Sequence, residues 1–196
     1  TRLVDRIPAI EMTEQFIGIL ALQGGFARHG SMLERMGVKP LLVRRADELE
    51  QCAGLIIPGG ESTTMTLLMK KYELYAPLKE FAAEKPIMGT CAGAIMLSTG
   101  VDDPRVESLD LMEIRADRNA YGRQRDSFIT YIDTPFTGDE EPLKSVFIRA
   151  PQLYAMNDDV VVLAKLDDRA VILEQGRFLA LSFHPELTDD DRIHRY

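Results

Sequence analysis

The sequence predicts an α/β protein: a three-layer sandwich built on a mostly parallel, doubly wound sheet, with an antiparallel portion in the C-terminal half. Three observations predict it. Short, nearly continuous apolar runs each give way to a turn and then a helical pattern, as expected of strands buried on both faces of a parallel sheet. Past Gly100 the pattern changes to closely spaced strands joined by hairpin signals. The composition, 45% hydrophobic and 28% charged over 196 residues, is that of a globular domain with a sizeable core.

The elements follow in order. Residues 1–11 carry no secretory apolar core and read as an extension outside the fold, with residues 12–196 as a single domain. Phe16 to Leu22 is the first buried strand, broken by Gln23-Gly24-Gly25. A helix follows with Phe26, Leu33 and Met36 on one side and Gly37 as its stop signal. Pro40 to Val43 is the second strand, and Ala46 to Gln51 a helical turn. Gly54 to Ile57 is the third strand, running into Pro58-Gly59-Gly60-Glu61-Ser62. Ser62 or Thr63 is the expected cap of the next helix. Pro77 lies in the first turn of another, through Phe81 and Ala82. The fourth strand starts at Pro86 and leads through Gly89-Thr90-Cys91-Ala92-Gly93 into a helix. In parallel sheets the site lies at the carboxyl ends of the strands. The three glycine-bearing turns, at Gly24, Gly59 and Gly89, are therefore expected to converge.

In the second half, Leu111–Ala116, Ser127–Asp133, Ser145–Arg149, Val160–Leu166, Ala170–Glu174 and Phe178–Phe183 read as strands. Thr134 to Pro142 reads as an acidic, solvated loop. The last strand ends at His184-Pro185-Glu186, and Thr188 to Asp191 precedes a short terminal helix.

Charge and cysteine usage exclude whole classes of partner. A net charge of −8 repels phosphate backbones, so nucleic acid is not an expected partner. No apolar run is long enough to cross a bilayer. Cys52 and Cys91 sit in different contexts and form neither a disulfide framework nor a metal pair, so a reducing cytoplasmic compartment is expected. There is no GxGxxG, no Walker pattern and no cluster of metal ligands, so no cofactor and no metal are expected.

The chemistry concentrates on Cys91. Gly89 and Gly93 flank it at two residues on either side, the layout of a nucleophile elbow with cysteine as the nucleophile. The start of a helix favours a thiolate there. A thiol nucleophile needs a base, and His184 at the end of a buried strand is the best of three histidines. Glu186, two residues on, projects to the same side of an extended segment and is placed to orient the imidazole. His29 and His194 fall in polar helical contexts and read as solvated helix residues. Cys52 reads as a buried structural thiol. Donors for an oxyanion are expected from the backbone of Ala92, just after the nucleophile, and of the Gly59-Gly60 loop.

With these motifs in place the chain resembles the class I, triad-type glutamine amidotransferases, whose order of nucleophile, base and acid matches Cys91, His184 and Glu186. It is similar in more detail to the glutaminase subunits of pyridoxal 5′-phosphate synthase. The shared stretches are Leu22-Gln23-Gly24, Pro58 to Met65, Gly89 to Gly93, Arg118 to Gln124, Asp126-Ser127-Phe128, Val146 to Pro151 and Ser182 to Thr188. The likeness runs from Phe16 to Tyr196, with Ala94 a local departure where leucine is usual.

The resemblance implies a flavodoxin-like fold and hydrolysis of L-glutamine to glutamate and ammonia through a cysteine thioester. It implies a glutamine site at Gly60, Glu61, Ser62, Arg118, Ile148 and Arg149, with Gly60 and Ala92 lining the oxyanion. It also implies a partner: a separate (β/α)8-barrel synthase polypeptide, in a hetero-oligomer, that receives the ammonia. In the family the free glutaminase is weakly active until that partner completes the oxyanion loop. A related elbow-cysteine hydrolase and a non-catalytic regulatory subunit of the same fold are the competing readings. Glu186 and the Pro58–Met65 loop argue against the first, and the complete Cys91, His184 and Glu186 set against the second.

Overall fold

The structure is a computed structural model that describes residues 16–118, 127–138 and 141–196. The expected extension, residues 1–11, and most of the Arg118 to Gln124 stretch lie outside the described residues.

The first half builds the parallel sheet. Its elements are β1 (Phe16–Leu20), α1 (Phe26–Arg35), β2 (Pro40–Val43), β3 (Cys52–Ile57), α2 (Ser62–Lys71), α3 (Tyr75–Glu84), β4 (Ile87–Thr90) and α4 (Ala92–Leu97). The second half adds β5 (Ser98–Val101), β6 (Met112–Asp117), β7 (Ser127–Ile132), β8 (Leu143–Ile148), β9 (Gln152–Ala155), β10 (Val161–Leu166), β11 (Arg169–Gln175), β12 (Phe178–Leu181) and α5 (Arg192–Arg195).

Among the described residues, ten strands form one sheet in the order β2-β1-β3-β4-β12-β11-β9-β6-β5, with β10 paired to β11. The segment from β2 to β12 is parallel throughout. From β12 the pairing turns antiparallel through β11, β9 and β6, and β5 is parallel to β6. Strands β7 and β8 form a separate antiparallel ribbon. This is the mostly parallel α/β arrangement that the sequence pattern predicts and the flavodoxin-like fold that the resemblance implies. No helix among the described residues is long and apolar enough to cross a membrane.

Several details differ from the sequence reading. Ser98–Val101 and Gln152–Ala155 are strands that the pattern did not reveal. Ser62 does not cap α2: it is the first helical residue, Glu61 takes the cap position, and no side chain makes the capping bond. The span 134–142 is not simply a solvated loop, since Pro135–Thr137 form a 3-10 turn and Thr134 is buried. The segment Pro185–Leu187 is likewise a 3-10 turn rather than an extended strand end.

Packing explains why β4 and α4 are where they are. Every residue of α4 is buried, so the helix has no polar face and serves as core. Its Gly93 lies so close to β3 that a Cβ there would stand 1.9 Å from the Ile57 carbonyl oxygen. One apolar cluster joins β3, α2, α3 and α4 through Ile57, Met65, Leu78 and Met96. A second lies under the ribbon, where Phe147 stacks on Phe128 at 4.7 Å and tilts against Phe183 at 5.4 Å. Ile193 of α5 joins that cluster and pins the terminal helix to it.

Candidate active site

Cys91 sits between β4 and α4 with φ 50° and ψ −108°, the left-handed strain expected of an elbow. Two features hold the residue there. Its N–H donates to the Leu181 carbonyl at 2.8 Å, across from the neighbouring strand β12. Its carbonyl accepts from Ile95 N–H at 3.2 Å. The turn is tight enough that a Cβ on Gly89 would lie 2.5 Å from the Gly93 carbonyl oxygen. Ala92 opens α4, and the first amides of a helix have no acceptor within it.

His184 comes to Cys91 because β12 lies beside β4 in parallel register, Leu181 opposite Thr90. Beyond β12 the chain is fastened to the ribbon by a bond from His184 N–H to the Val146 carbonyl at 2.9 Å. The Pro185–Leu187 turn then folds Glu186 back under the ring, and His184 Nδ1 meets Glu186 Oε1 at 2.7 Å. The contact expected between these two residues is therefore made, but by a helical turn and not by an extended strand. With Nδ1 so engaged, the other ring nitrogen is left for the Cys91 thiol. Cys91 Sγ also lies 3.8 Å from the Ile148 carbonyl at the end of β8.

The electrostatics follow from these contacts. Burial alone would lower the pKa of His184, but the hydrogen bonds and charges of Cys91 and Glu186 outweigh it and raise the value well above the usual imidazole range. Burial would raise the Glu186 carboxyl, yet the hydrogen bond from His184 and the imidazoles around it hold it below the usual carboxylate range. The arrangement thus favours an imidazolium paired with an ionised carboxylate. Cys52, by contrast, is a sealed thiol: burial pushes it up to about 11, and its Sγ is 3.4 Å from the Glu48 carbonyl.

The glycine-bearing turns converge as the parallel sheet requires. Gly25 N–H donates to the Gly59 carbonyl at 3.3 Å, and Glu61 N–H donates to Gln23 Oε1 at 3.0 Å. Gly60 has φ +150°, and a Cβ there would strike the Gln23 amide at 2.3 Å. The backbone of Gly59 rests directly on the site: a Cβ would stand 2.4 Å from His184 Cε1 and 3.3 Å from Cys91 Cβ. Ser62 is buried and its hydroxyl has no hydrogen-bond partner among the described residues. Arg149 follows Ile148 with φ 42°, a strained backbone for a side chain of its kind. Arg118, at the end of β6, is not drawn to the Cys–His pair. Its guanidinium pairs with Asp103, and its N–H donates to Asp102 Oδ1 at 3.0 Å.

Two residues were misread from sequence. His29 and His194 are not solvated. His29 is completely buried, and its Nε2 lies 3.4 Å from Glu186 Oε2. His194 is half-buried, with its Nε2 2.9 Å from His29 Nδ1. Burial is the main cause that lowers both imidazoles to about 4, so both are neutral at neutral pH. A signal for His29 was present: with Phe26, Gly30 and Leu33 it completes the apolar stripe of α1 at helical spacing. For His194 there was none, because its burial depends on the packing of α5 against a distant helix.

The chain is similar to known proteins. A protein from Solibacter usitatus named pyridoxal 5′-phosphate synthase subunit PdxT is 50% identical over 183 residues, covering 91% of this chain and 95% of that protein. One of the same name from Halalkalibacterium halodurans is 48% identical over 181 residues, covering 92% of this chain and 91% of its own. A crystal structure titled glutamine amidotransferase superposes with a TM-score of 0.85 at 40% identity, over 92% of this chain and 95% of that one. Residues 19–196 match the family described as SNO glutamine amidotransferase, and the chain belongs to that family.

Proposed function

We propose that this chain is the glutaminase subunit of a pyridoxal 5′-phosphate synthase, with Cys91 as nucleophile, His184 as acid and base, and Glu186 as the residue that orients His184. The observation that carries the proposal is the set of contacts at one point. A strained cysteine and an imidazole lie against the same glycine, Gly59, and that imidazole is held at 2.7 Å by a buried carboxylate. The names of the relatives supply the pathway.

In this reading the thiolate of Cys91 attacks the side-chain amide carbon of L-glutamine. His184 gives the departing nitrogen its proton, and ammonia leaves. Water, deprotonated by His184, then opens the thioester and releases glutamate. The Ala92 N–H and the backbone of Gly60 receive the charge that develops on the amide oxygen. Gly60, Glu61 and Ser62 line the glutamine, with Ile148 and Arg149 across from them. Arg118 pairs with Asp103 but has five N–H donors, leaving capacity for the α-carboxylate of glutamine. The ammonia passes to a separate (β/α)8-barrel subunit in the cytoplasm, a compartment that two free cysteines support. The loop at Gly59 and Gly60, where the open φ of Gly60 gives the backbone freedom, is the element that this subunit completes.

The test is ammonia release from glutamine, with and without the synthase subunit. The wild-type chain is expected to be slow alone and faster in the complex. Cys91→Ala is expected to abolish release while leaving folding and partner binding intact. Turnover by Cys91→Ala, or faster cleavage of a glutaryl ester than of glutamine in the complex, overturns the reading.

A further inference from the structure

Behind Glu186 lies a pair of histidines for which the chemistry above has no use. We propose that the relay behind Cys91 continues past Glu186: His29, backed by His194, secures the outer oxygen of that carboxylate, and His29 is a positioning residue for glutamine hydrolysis. The proposal rests on the triad reading above.

The first observation is an unmet need. Glu186 uses Oε1 to hold His184, whereas Oε2 is buried and has no hydrogen-bond partner among the described residues. A buried carboxylate oxygen without a donor is costly. It also leaves the carboxylate held by a side chain at one oxygen only. The second observation is the group beside it. His29 Nε2 is 3.4 Å from Oε2 and 3.4 Å from Thr90 Oγ1, inside a wall with no exposure to water. A small rotation of either side chain turns that contact into a hydrogen bond.

The tautomers follow from the acceptors. An ionised carboxylate can only accept, so the proton of His29 belongs on Nε2, facing Oε2. Nδ1 then has a lone pair, and the 2.9 Å contact to His194 must be a donation from His194 Nε2–H. His194 Nδ1 is left as a bare lone pair, and it is the buried ring atom that has no partner. The reverse assignment sets a lone pair against the carboxylate and leaves a buried N–H unpaired, which native structures avoid more strictly than an unpaired acceptor. The direction of donation therefore runs from His194 to His29 to Glu186 to His184. The charged or titratable groups around the pair are Glu186 and His184 on the catalytic turn, Asp191 beside α5, and Arg35 at the end of α1.

Neutral donors suit this task. A charged group at Oε2 would compete with His184 for the carboxylate, while a neutral N–H fixes its plane and leaves its charge for the imidazolium. The prediction is a loss of turnover without a loss of substrate affinity, since His29 touches no substrate.

The experiment compares His29→Leu, which removes the donor, with His29→Gln, whose amide offers one from a similar place. Both are assayed on the full chain with the synthase subunit present, across pH. His29→Leu is expected to lower kcat about tenfold, a part of what acid–base catalysis supplies, with KM for glutamine unchanged. It should also move the alkaline limb of kcat/KM to lower pH, because a looser Glu186 holds the imidazolium less well. His29→Gln is expected to restore both. In a Glu186→Gln background, His29→Leu should add no further loss. His194→Leu, which leaves the site's own residues in place, should show a smaller effect in the same direction, and it carries the test if His29→Leu does not fold. Equal losses in the two His29 variants, an unmoved alkaline limb, or full additivity with Glu186→Gln would overturn the proposal. If Glu186→Gln itself left turnover intact, the triad reading would fail instead.

Discussion

At Gly59 the site has no room for one more methyl group. A Cβ would enter the space of His184 Cε1 at 2.4 Å, and the imidazole cannot retreat without disturbing its contact with Glu186. Gly59→Ala is therefore expected to displace the ring by a fraction of an ångström and to cost roughly 10²-fold in kcat/KM. Circular dichroism should show the fold unchanged. Retained activity would mean that the loop yields rather than the histidine. This crowding also marks where sequence reasoning stops. Cys91, His184 and Glu186 were legible because each sits in a short motif whose spacing implies a local geometry. The burial of His29 was not read, although its spacing carried the clue, because polar neighbours such as Arg28 and Ser31 masked it. Its contact with His194 joins residues 165 positions apart, which no local pattern encodes.

At the level of elements, the β4–α4 elbow is held from behind by β3. Gly93 packs against the Ile57 carbonyl at a distance that excludes any side chain. Gly93→Ala must push α4 off the sheet, and overpacking of this kind against backbone costs up to about 3 kcal/mol. For a chain of this size that is a fall in Tm of roughly 6–12 °C. Thermal unfolding by calorimetry tests it, and a Tm within a degree of wild type would show that the helix has slack. The parallel strands were legible because two-sided burial leaves continuous apolar runs. β5 and β9 were not, for physical reasons. Ser98-Thr99-Gly100-Val101 is short, polar and contains glycine, and its pairing with β6 decides its conformation. Gln152–Ala155 follows Pro151 closely and gains its strand character from β6 and β11 on either side. In the same way the Pro185–Leu187 turn replaces the expected extension, because proline at the first position suits a helical turn as well as a strand end.

For the whole molecule, the buried histidines set a dependence on pH with a definite sign. His29 and His194 have folded values of about 4 against an ordinary 6.5, so between those limits the unfolded chain takes up protons that the folded chain refuses. Stability must fall as pH drops through that window. His184 acts at the other end. Its value is raised, so its contribution is complete below 6.5 and is lost as pH climbs through the elevated value. Maximum stability is expected between the two windows. Urea midpoints measured from pH 7 down to pH 4.5 should decline, and the decline should be shallower in the His29→Gln, His194→Gln double variant. An identical acid slope in that variant would show that other groups carry it.

The place of β12 has a consequence for how the protein is made. This strand is the last to be synthesised among those described, yet it lies in the interior of the sheet, between β4 and β11. A ribosome that has already released the elbow cysteine has therefore left β4 with an open edge. Residues 178–186 close that edge and in the same movement bring His184 and Glu186 to Cys91, the proposed base and its carboxylate. Completion of the fold and completion of the site are one event. A chain cut short before β12 lacks a closed sheet and, on the proposed reading, the base that Cys91 needs.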